Sequence, residues 1–340
     1  MIVGNLKLVT GATGFLGSHI AEQLVNRQER VRALVRPSSD TRFLEKLNVE
    51  IFVGDLNEPD SVRQALKSVD TVYHAAAFVG DWGPWRQFYS GTVETTRNLV
   101  EACRRSACPK ILHVSSISVY GKQSAMRGEY SEDLPIGQHH WIGDHYGRTK
   151  FLAEEQLKGY SNYTIVRPSW VYGPRDYKAL PRVFEALRAG RVRVIGSGVN
   201  PLNMVYATDV ARGAILAANH PSVHAQAFHL CHHGECSQRD MIDILCDRLK
   251  LPPVRRNVSL PLAWCVASIA EIAYQLARRP HPPPVTRRAL YMIGRPTQFS
   301  TARAARQLGW QPEVGIRDGL KLTLDWYAEN NAAVLEGRST

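Results

Sequence analysis

Thr10-Gly11-Ala12-Thr13-Gly14-Phe15-Leu16-Gly17 is the stretch that decides how this chain folds. It follows a strand-length apolar run, Leu6 to Val9, and opens an amphipathic stretch near residues 15–27. A glycine loop between strand and helix turns tightly, lets backbone approach a pyrophosphate, and packs helix closely on strand. The helix N-terminus then offers N–H groups to phosphate charge. Gly11, Thr13, Gly14, Phe15, Leu16 and Gly17 are therefore candidate contacts to a dinucleotide. The alternative is a merely structural glycine turn.

The rest of the first half repeats that pattern. Lys7–Thr10, Val31–Val35, Val49–Val53, Thr71–Ala75, Lys110–Ser115 and Tyr163–Arg167 read as strands. Stretches near 15–27, 58–68 and 92–106 read as the helices between them. Such β-α repetition implies parallel strands with right-handed crossovers. The fold class is α/β, a Rossmann doubly wound parallel sheet with a smaller, mostly helical C-terminal lobe. Later helices are expected near 178–189, 207–219, 237–249, 260–277, 301–308 and 315–328, with short strands near 192–195 and 226–231. The expected division is a nucleotide-binding core, 1–175, and a substrate lobe, 176–335. Parts of 200–231 are expected to return to the core.

With 340 residues, 44% of them hydrophobic, the chain can bury a sizeable core. Its formal net charge of +11 admits an anionic cofactor, a membrane surface or nucleic acid. The basic residues are dispersed and no nucleic-acid module accompanies them, so no nucleic-acid partner is expected. Six scattered cysteines do not make a disulfide framework, and no opening stretch has the order of a signal peptide. A cytoplasmic protein is the expectation. Cys231-His232-His233-Gly234-Glu235-Cys236 has residue types suited to zinc but lacks a second ligand pair, so no metal is expected.

The end of the second strand bears on cofactor choice. A carboxylate there would take ribose hydroxyls, but Val35 occupies the position and Arg36 follows, suited to a 2′-phosphate. This favours NADP, with NAD possible; the bland reading makes Arg36 a solvated surface residue. Asp55, before Leu56, is suited to the adenine amino group or, alternatively, to capping the next helix.

Tyr146-Gly147-Arg148-Thr149-Lys150 puts a phenol and an ammonium on one helical face. Tyrosine titrates near ~10 unperturbed, and a nearby cation favours the phenolate. Val114-Ser115-Ser116-Ile117-Ser118-Val119-Tyr120-Gly121 ends strand five, at the sheet edge where doubly wound folds bind ligands. A serine hydroxyl there can hold a substrate oxygen beside the tyrosine.

Together these residues resemble the extended short-chain dehydrogenase/reductases, the group containing nucleotide-sugar epimerases, 3β-hydroxysteroid dehydrogenases and dihydroflavonol reductases. The matching pieces are TGATGFLG at 10–17, GDL at 54–56, HAAA at 74–77, VSSISVYG at 114–121, YGRTK at 146–150 and RPSWVYGP at 167–174. YATDV at 206–210 and LGWQP at 308–312 also match. The resemblance implies that Tyr146 exchanges a proton, Ser116 orients the substrate oxygen, and Lys150 binds nicotinamide ribose and tunes Tyr146. It makes Ser115 structural, lines the cofactor with Ala75, Ala76 and Ala77, and sets Pro168 near the nicotinamide. It also implies a homodimer. One position departs: the family's lysine-supporting asparagine is Thr92 here, which puts the proton relay in question.

The substrate side is apolar. Phe78, Val79, Trp82 and Trp85 follow strand four, and Trp141 precedes the tyrosine helix. They favour a hydrophobic secondary alcohol or ketone, sterol-like, long-chain hydroxy or oxo acid, or flavonoid-like; ordinary packing is the competing reading. Sugar-nucleotide members often carry a diphosphate-binding arginine where this chain has Leu202. An NADP(H)-dependent oxidoreductase is thus the first expectation. An epimerase or dehydratase with retained NAD, and a non-catalytic cofactor-sensing protein, are the alternatives. Leu260–Ala277 is apolar, contains Glu271 and is followed by Arg278 and Arg279. It is short for a membrane span and suits a lobe helix or lid, or peripheral membrane contact through 260–279.

Overall fold

The apolar runs of the first half form strands that are buried almost throughout, as parallel strands covered on both faces must be. In the computed structural model, which describes residues 6–122, 129–232, 236–294 and 297–337, seven strands make one sheet. They are β1 (Leu6–Thr10), β2 (Arg30–Val35), β3 (Glu50–Val53), β4 (Val69–His74), β5 (Lys110–Val114), β6 (Tyr163–Pro168) and β7 (Gln226–Leu230). Their order is β7-β6-β5-β4-β1-β2-β3, and every pairing is parallel. The order reverses between β1 and β4, which opens a crevice at their carboxyl ends. Register aligns Thr10 with His74 and His74 with His113 across those ends.

Helices cover both faces. Phe15–Asn26 and Ala207–Asn219 pack together over one face around Ile20, Leu24, Val210 and Ala214. Pro59–Ala65, Thr95–Arg104 and His145–Leu157 cover the other around Val62, Leu99 and Leu157. A further core, around Leu180, Phe184, Leu245 and Leu320, holds the lobe. The two late motifs form a latch. Trp310 is fully buried and its indole N–H donates to the Asp209 carbonyl at 2.9 Å. The Asp209 carboxylate accepts from the N–H groups of Glu313 and Val314 at 3.1 and 3.0 Å.

Several local expectations change. The stretch read as one helix from 92 is α-helical only over Thr95–Arg104; Tyr89–Glu94 winds as a π-helix. Short elements absent from the sequence reading include the helix Arg42–Lys46 and the parallel pair Trp170–Tyr172 with Met204–Tyr206. Among the described residues no helix is long and apolar enough to cross a membrane. The apolar helix is Leu260–Leu276, and its carboxylate, Glu271, is buried and paired with Arg287.

Candidate active site

The glycine turn lies at the crevice where the strand order reverses. Gly11 takes φ +70°, and a Cβ there would stand 2.7 Å from the Ala76 nitrogen. A Cβ on Gly17 would overlap the Gly11 carbonyl and come within 2.6 Å of Gly11 C. Only hydrogen fits at either point, so turn, helix and β4 end meet with backbone exposed. Gly14 begins the helix with no side-chain cap and no acidic residue in its first turn. Gly14 N–H closes the turn onto Gly11 C=O at 2.9 Å, and the first helical bond is Ser18 N–H to Gly14 C=O at 3.0 Å, which leaves the N–H groups of Phe15, Leu16 and Gly17 ahead of it. Thr13 and Gly14 are exposed at the mouth. Glycine cradle, unused donors and crevice together fit a dinucleotide pyrophosphate.

A buried hydrogen-bond line fixes the strand ends beneath that cradle. Thr10 Oγ1 bonds His74 Nδ1 at 2.8 Å, and His74 Nε2 bonds Thr96 Oγ1 at 2.9 Å. Burial, with Lys150 adding to it, lowers the His74 pKa to about 3, so the ring is a neutral structural link. Ala75 and Ala76 donate to Thr10 O and Oγ1 at 3.2 and 3.3 Å, and Ala77 follows them, half-buried. Pro168 ends β6, buried. Arg36 lies exposed just past β2, and its side chain has no hydrogen bond or ion pair among the described residues. Asp55 does not cap the helix after β3. Glu58 holds that position without a side-chain bond, while Asp55 Oδ1 accepts from Asn57 N–H at 2.8 Å in a local turn. The next residue, Leu56, is buried and its carbonyl accepts from Asn98 at 3.0 Å.

Tyr146 and Lys150 lie near the start of the helix His145–Leu157, capped by Asp144. Gly147 sits between them for a reason: a Cβ there would stand 2.8 Å from Ser118 O. The helix therefore packs directly on the turn Ile117–Tyr120 that follows β5. Ser116 caps that turn; its Oγ accepts from Ser118 N–H at 3.1 Å. Ser115 is structural, donating at 2.5 Å to Glu154, which Arg167 holds in a two-pronged pair at 3.0 and 2.7 Å. That pair fixes the helix one turn beyond Lys150. Lys150 Nζ donates to Val114 O at 2.8 Å and lies 6.0 Å from the Tyr146 ring centre. Burial lowers its pKa to about 8, Glu154 opposing and Arg288 assisting, so the ammonium persists at neutral pH.

Thr92 sits within the π-helical stretch and does not bond Lys150. Its hydroxyl accepts from Phe78 N–H at 3.1 Å, and its carbonyl accepts from Thr95 and Thr96 hydroxyls. The aromatics join core to lobe. Trp82 donates to Arg279 O at 3.0 Å, and Trp141 packs edge-on to Trp264 at 5.7 Å. Trp85 lies 5.6 Å from His145, and Phe78 lies 4.7 Å from Phe88, while Val79 is exposed. Leu202, where a diphosphate-binding arginine would stand, is buried in the lobe core. The zinc-like run falls partly outside the described residues, and no cluster of three metal-type ligands occurs among those described.

Two contacts escape sequence reading. Glu271 accepts from Arg287 at its backbone N–H, 2.6 Å, and Nε, 2.7 Å, and Arg287 also donates to Ile142 O at 2.7 Å. The neighbouring Arg288 stacks on the Tyr146 ring, 3.8 Å from its centre. Both depend on the lobe folding back on the core, which no local sequence signal announces.

A switch-point glycine cradle with a Tyr-Lys helix on a serine turn defines an NAD(P)-dependent enzyme of the extended short-chain dehydrogenase/reductase class. A model of the NAD dependent epimerase/dehydratase family matches residues 7–231, and the chain belongs to that family. It is 29% identical to the 2-alkyl-3-oxoalkanoate reductase of Stenotrophomonas maltophilia (strain K279a), over 92% of this chain and 97% of that protein. It is 27% identical to the human (Homo sapiens) sterol-4-alpha-carboxylate 3-dehydrogenase, decarboxylating, over 93% and 86%. The crystal structure of gox2253 superposes with a TM-score of 0.78 at 29% identity, covering 96% of this chain and 99% of that one.

Proposed function

We propose that the chain is an NADP(H)-dependent oxidoreductase that interconverts a hydrophobic secondary alcohol and its ketone. The observation that carries this reading is the close seat of the Tyr146 helix on the serine turn, beside the glycine cradle. When bound, the cofactor supplies or accepts a hydride. In the reducing direction Tyr146 gives its phenolic proton to the carbonyl oxygen as that oxygen becomes an alcohol; in oxidation it takes the proton back. Ser116, whose Oγ accepts from Ser118 N–H and donates to Ser118 Oγ at 3.2 Å, would redirect its O–H to the same oxygen when substrate binds. Lys150 holds ribose hydroxyls and lends its charge to the phenolate. The names of both relatives place the reacting carbon next to a carbon bearing a carboxylate, which supports the oxo-acid end of the substrate range. The buried Leu202 speaks against a nucleotide-sugar epimerase, because no cation stands there to meet a diphosphate. A cofactor-coupled screen of long-chain oxo acids, sterols and flavonoid ketones tests the reading. Net oxidation of NADPH by the ketones, or net reduction of NADP by the sterol alcohols, with the changed cofactor released, supports it; retained cofactor without net redox change contradicts it.

Arg36 supplies the NADP preference in this reading. Arg36→Asp is expected to cut NADPH affinity at least ~10-fold and to shift preference toward NADH. Comparing kcat/KM for the two cofactors checks this, and an unaltered ratio clears Arg36 of the role.

The lobe helix also bears on where the enzyme works. Leu262, Val266, Ile269, Ile272 and Leu276 are each about half or more exposed on one face of Leu260–Leu276, and Arg278 and Arg279 follow, exposed. Such an apolar stripe with a cationic end fits an anionic lipid surface. Sedimentation with phosphatidylglycerol-containing vesicles is expected to capture the protein, less so at high salt. Ile269→Asp with Leu276→Asp is expected to weaken capture at least ~10-fold. A stripe protected instead in a second copy, with no vesicle binding, contradicts this assignment.

A further inference from the structure

We infer that Arg288 receives the carboxylate of the substrate, so that the site is built for an anionic 3-oxo or 3-hydroxy acid rather than a neutral ketone. The inference rests on the oxidoreductase reading and deepens it. Two consecutive arginines at the start of the helix Arg287–Ile293 have different fates. Arg287 is engaged, with Glu271 on one side and Ile142 O on the other. Arg288 is half-buried and lies 3.8 Å above the Tyr146 ring. Among the described residues no carboxylate or carbonyl accepts a hydrogen bond from its side chain. Withdrawing a guanidinium from water without an acceptor is costly, and the ring face offsets only part of that cost. The fork is thus an unfilled donor set, presented beside the phenol that handles the substrate oxygen.

The chemistry fixes which anion suits it. The substrate oxygen must reach the Tyr146 hydroxyl. An anion attached to the same small fragment can reach a guanidinium over the ring only if few bonds separate the two. A carboxylate two carbons from the reacting carbon meets that need, and its two oxygens match the planar fork. Lys150, buried 6.0 Å from the centre of the same ring, is a second cation near Arg288, with Glu154 as its counter-charge. The apolar aromatics around it would then receive the chain or ring system rather than the head.

The test uses the intact protein loaded with NADP and two probes, 3-hydroxymyristate and its methyl ester, with binding read by calorimetry. The parent is expected to bind the acid at least ~30-fold more tightly than the ester. Arg288→Met is expected to collapse that preference to under ~3-fold, and Arg288→Lys to leave an intermediate value, since charge remains but the fork is lost. Thermal melting confirms that each variant is folded; the Arg287–Glu271 pair is untouched by either change. A parent without acid preference overturns the inference, as does a preference that survives in Arg288→Met or an equal weakening of both probes. NADPH-linked reduction of 2-tetradecanone separates the two levels of the argument. If the parent reduces this neutral ketone yet lacks acid preference, the oxidoreductase reading stands and the Arg288 assignment falls. If no probe binds and no ketone is reduced, both fall.

Discussion

Tyr146→Phe is expected to lower turnover ~10²-fold or more while leaving NADPH affinity within a few-fold of the parent. The change removes one oxygen from a side chain that is almost fully buried, and it keeps the ring on which Arg288 stacks. Packing is therefore preserved, and what is removed is the hydroxyl to which the proposed reading assigns proton exchange. The glycine cradle lies on a different loop, so the cofactor should bind as before. Stopped-flow or steady-state rates, paired with a fluorescence titration of NADPH, separate the two effects. Unchanged turnover would mean that another group handles the substrate proton.

The second large effect is expected from Gly17→Ala. Its added methyl would overlap the Gly11 carbonyl and crowd the Ala12 nitrogen at 3.0 Å. These neighbours are backbone, not the yielding end of a side chain, so the helix must move away from the turn. The turn itself is pinned on its other side, where Gly11 abuts Ala75 and Ala76. Overpacking of this kind costs ~1–3 kcal/mol, occasionally more. Because the displaced parts are the phosphate donors in the proposed reading, NADPH affinity is expected to fall at least ~100-fold, beyond the loss of stability. Titration and thermal unfolding measure the two separately. Affinity within threefold of the parent would show that the helix start does not cradle phosphate.

The central sheet was legible because its strands are buried on both faces and read as short apolar runs between amphipathic helices. All six strands named from the first half occur, and the expected segment near 226–231 returns as β7. What the sequence hid is non-local. Trp170–Tyr172 and Met204–Tyr206 are three-residue strands, too short for any period, and each exists only because the other is there. The π-helical Tyr89–Glu94 has the same apolar spacing as an ordinary helix over so few residues. Glu271 looked like a polar interruption in an apolar helix; its meaning lies in Arg287, on the next helix. Arg288 is the sharpest case. Nothing in its neighbourhood along the chain distinguishes it from Arg287, and only the return of the lobe onto the core brings it to Tyr146. Ser115 and Ser116 were told apart only through the family resemblance; the structure ties Ser115 to Glu154 while Ser116 caps the adjoining turn.

The most direct test of the account follows one atom. NADPH carrying deuterium at the transferring position of nicotinamide C4 is incubated with the enzyme and a long-chain 3-oxo acid, and the product is analysed by mass spectrometry and NMR. The account predicts one deuterium on the new carbinol carbon, one equivalent of NADP released, and no such product from Tyr146→Phe within the parent's reaction time. Deuterium that stays on a cofactor never released, or product that forms equally fast without the Tyr146 hydroxyl, would contradict it.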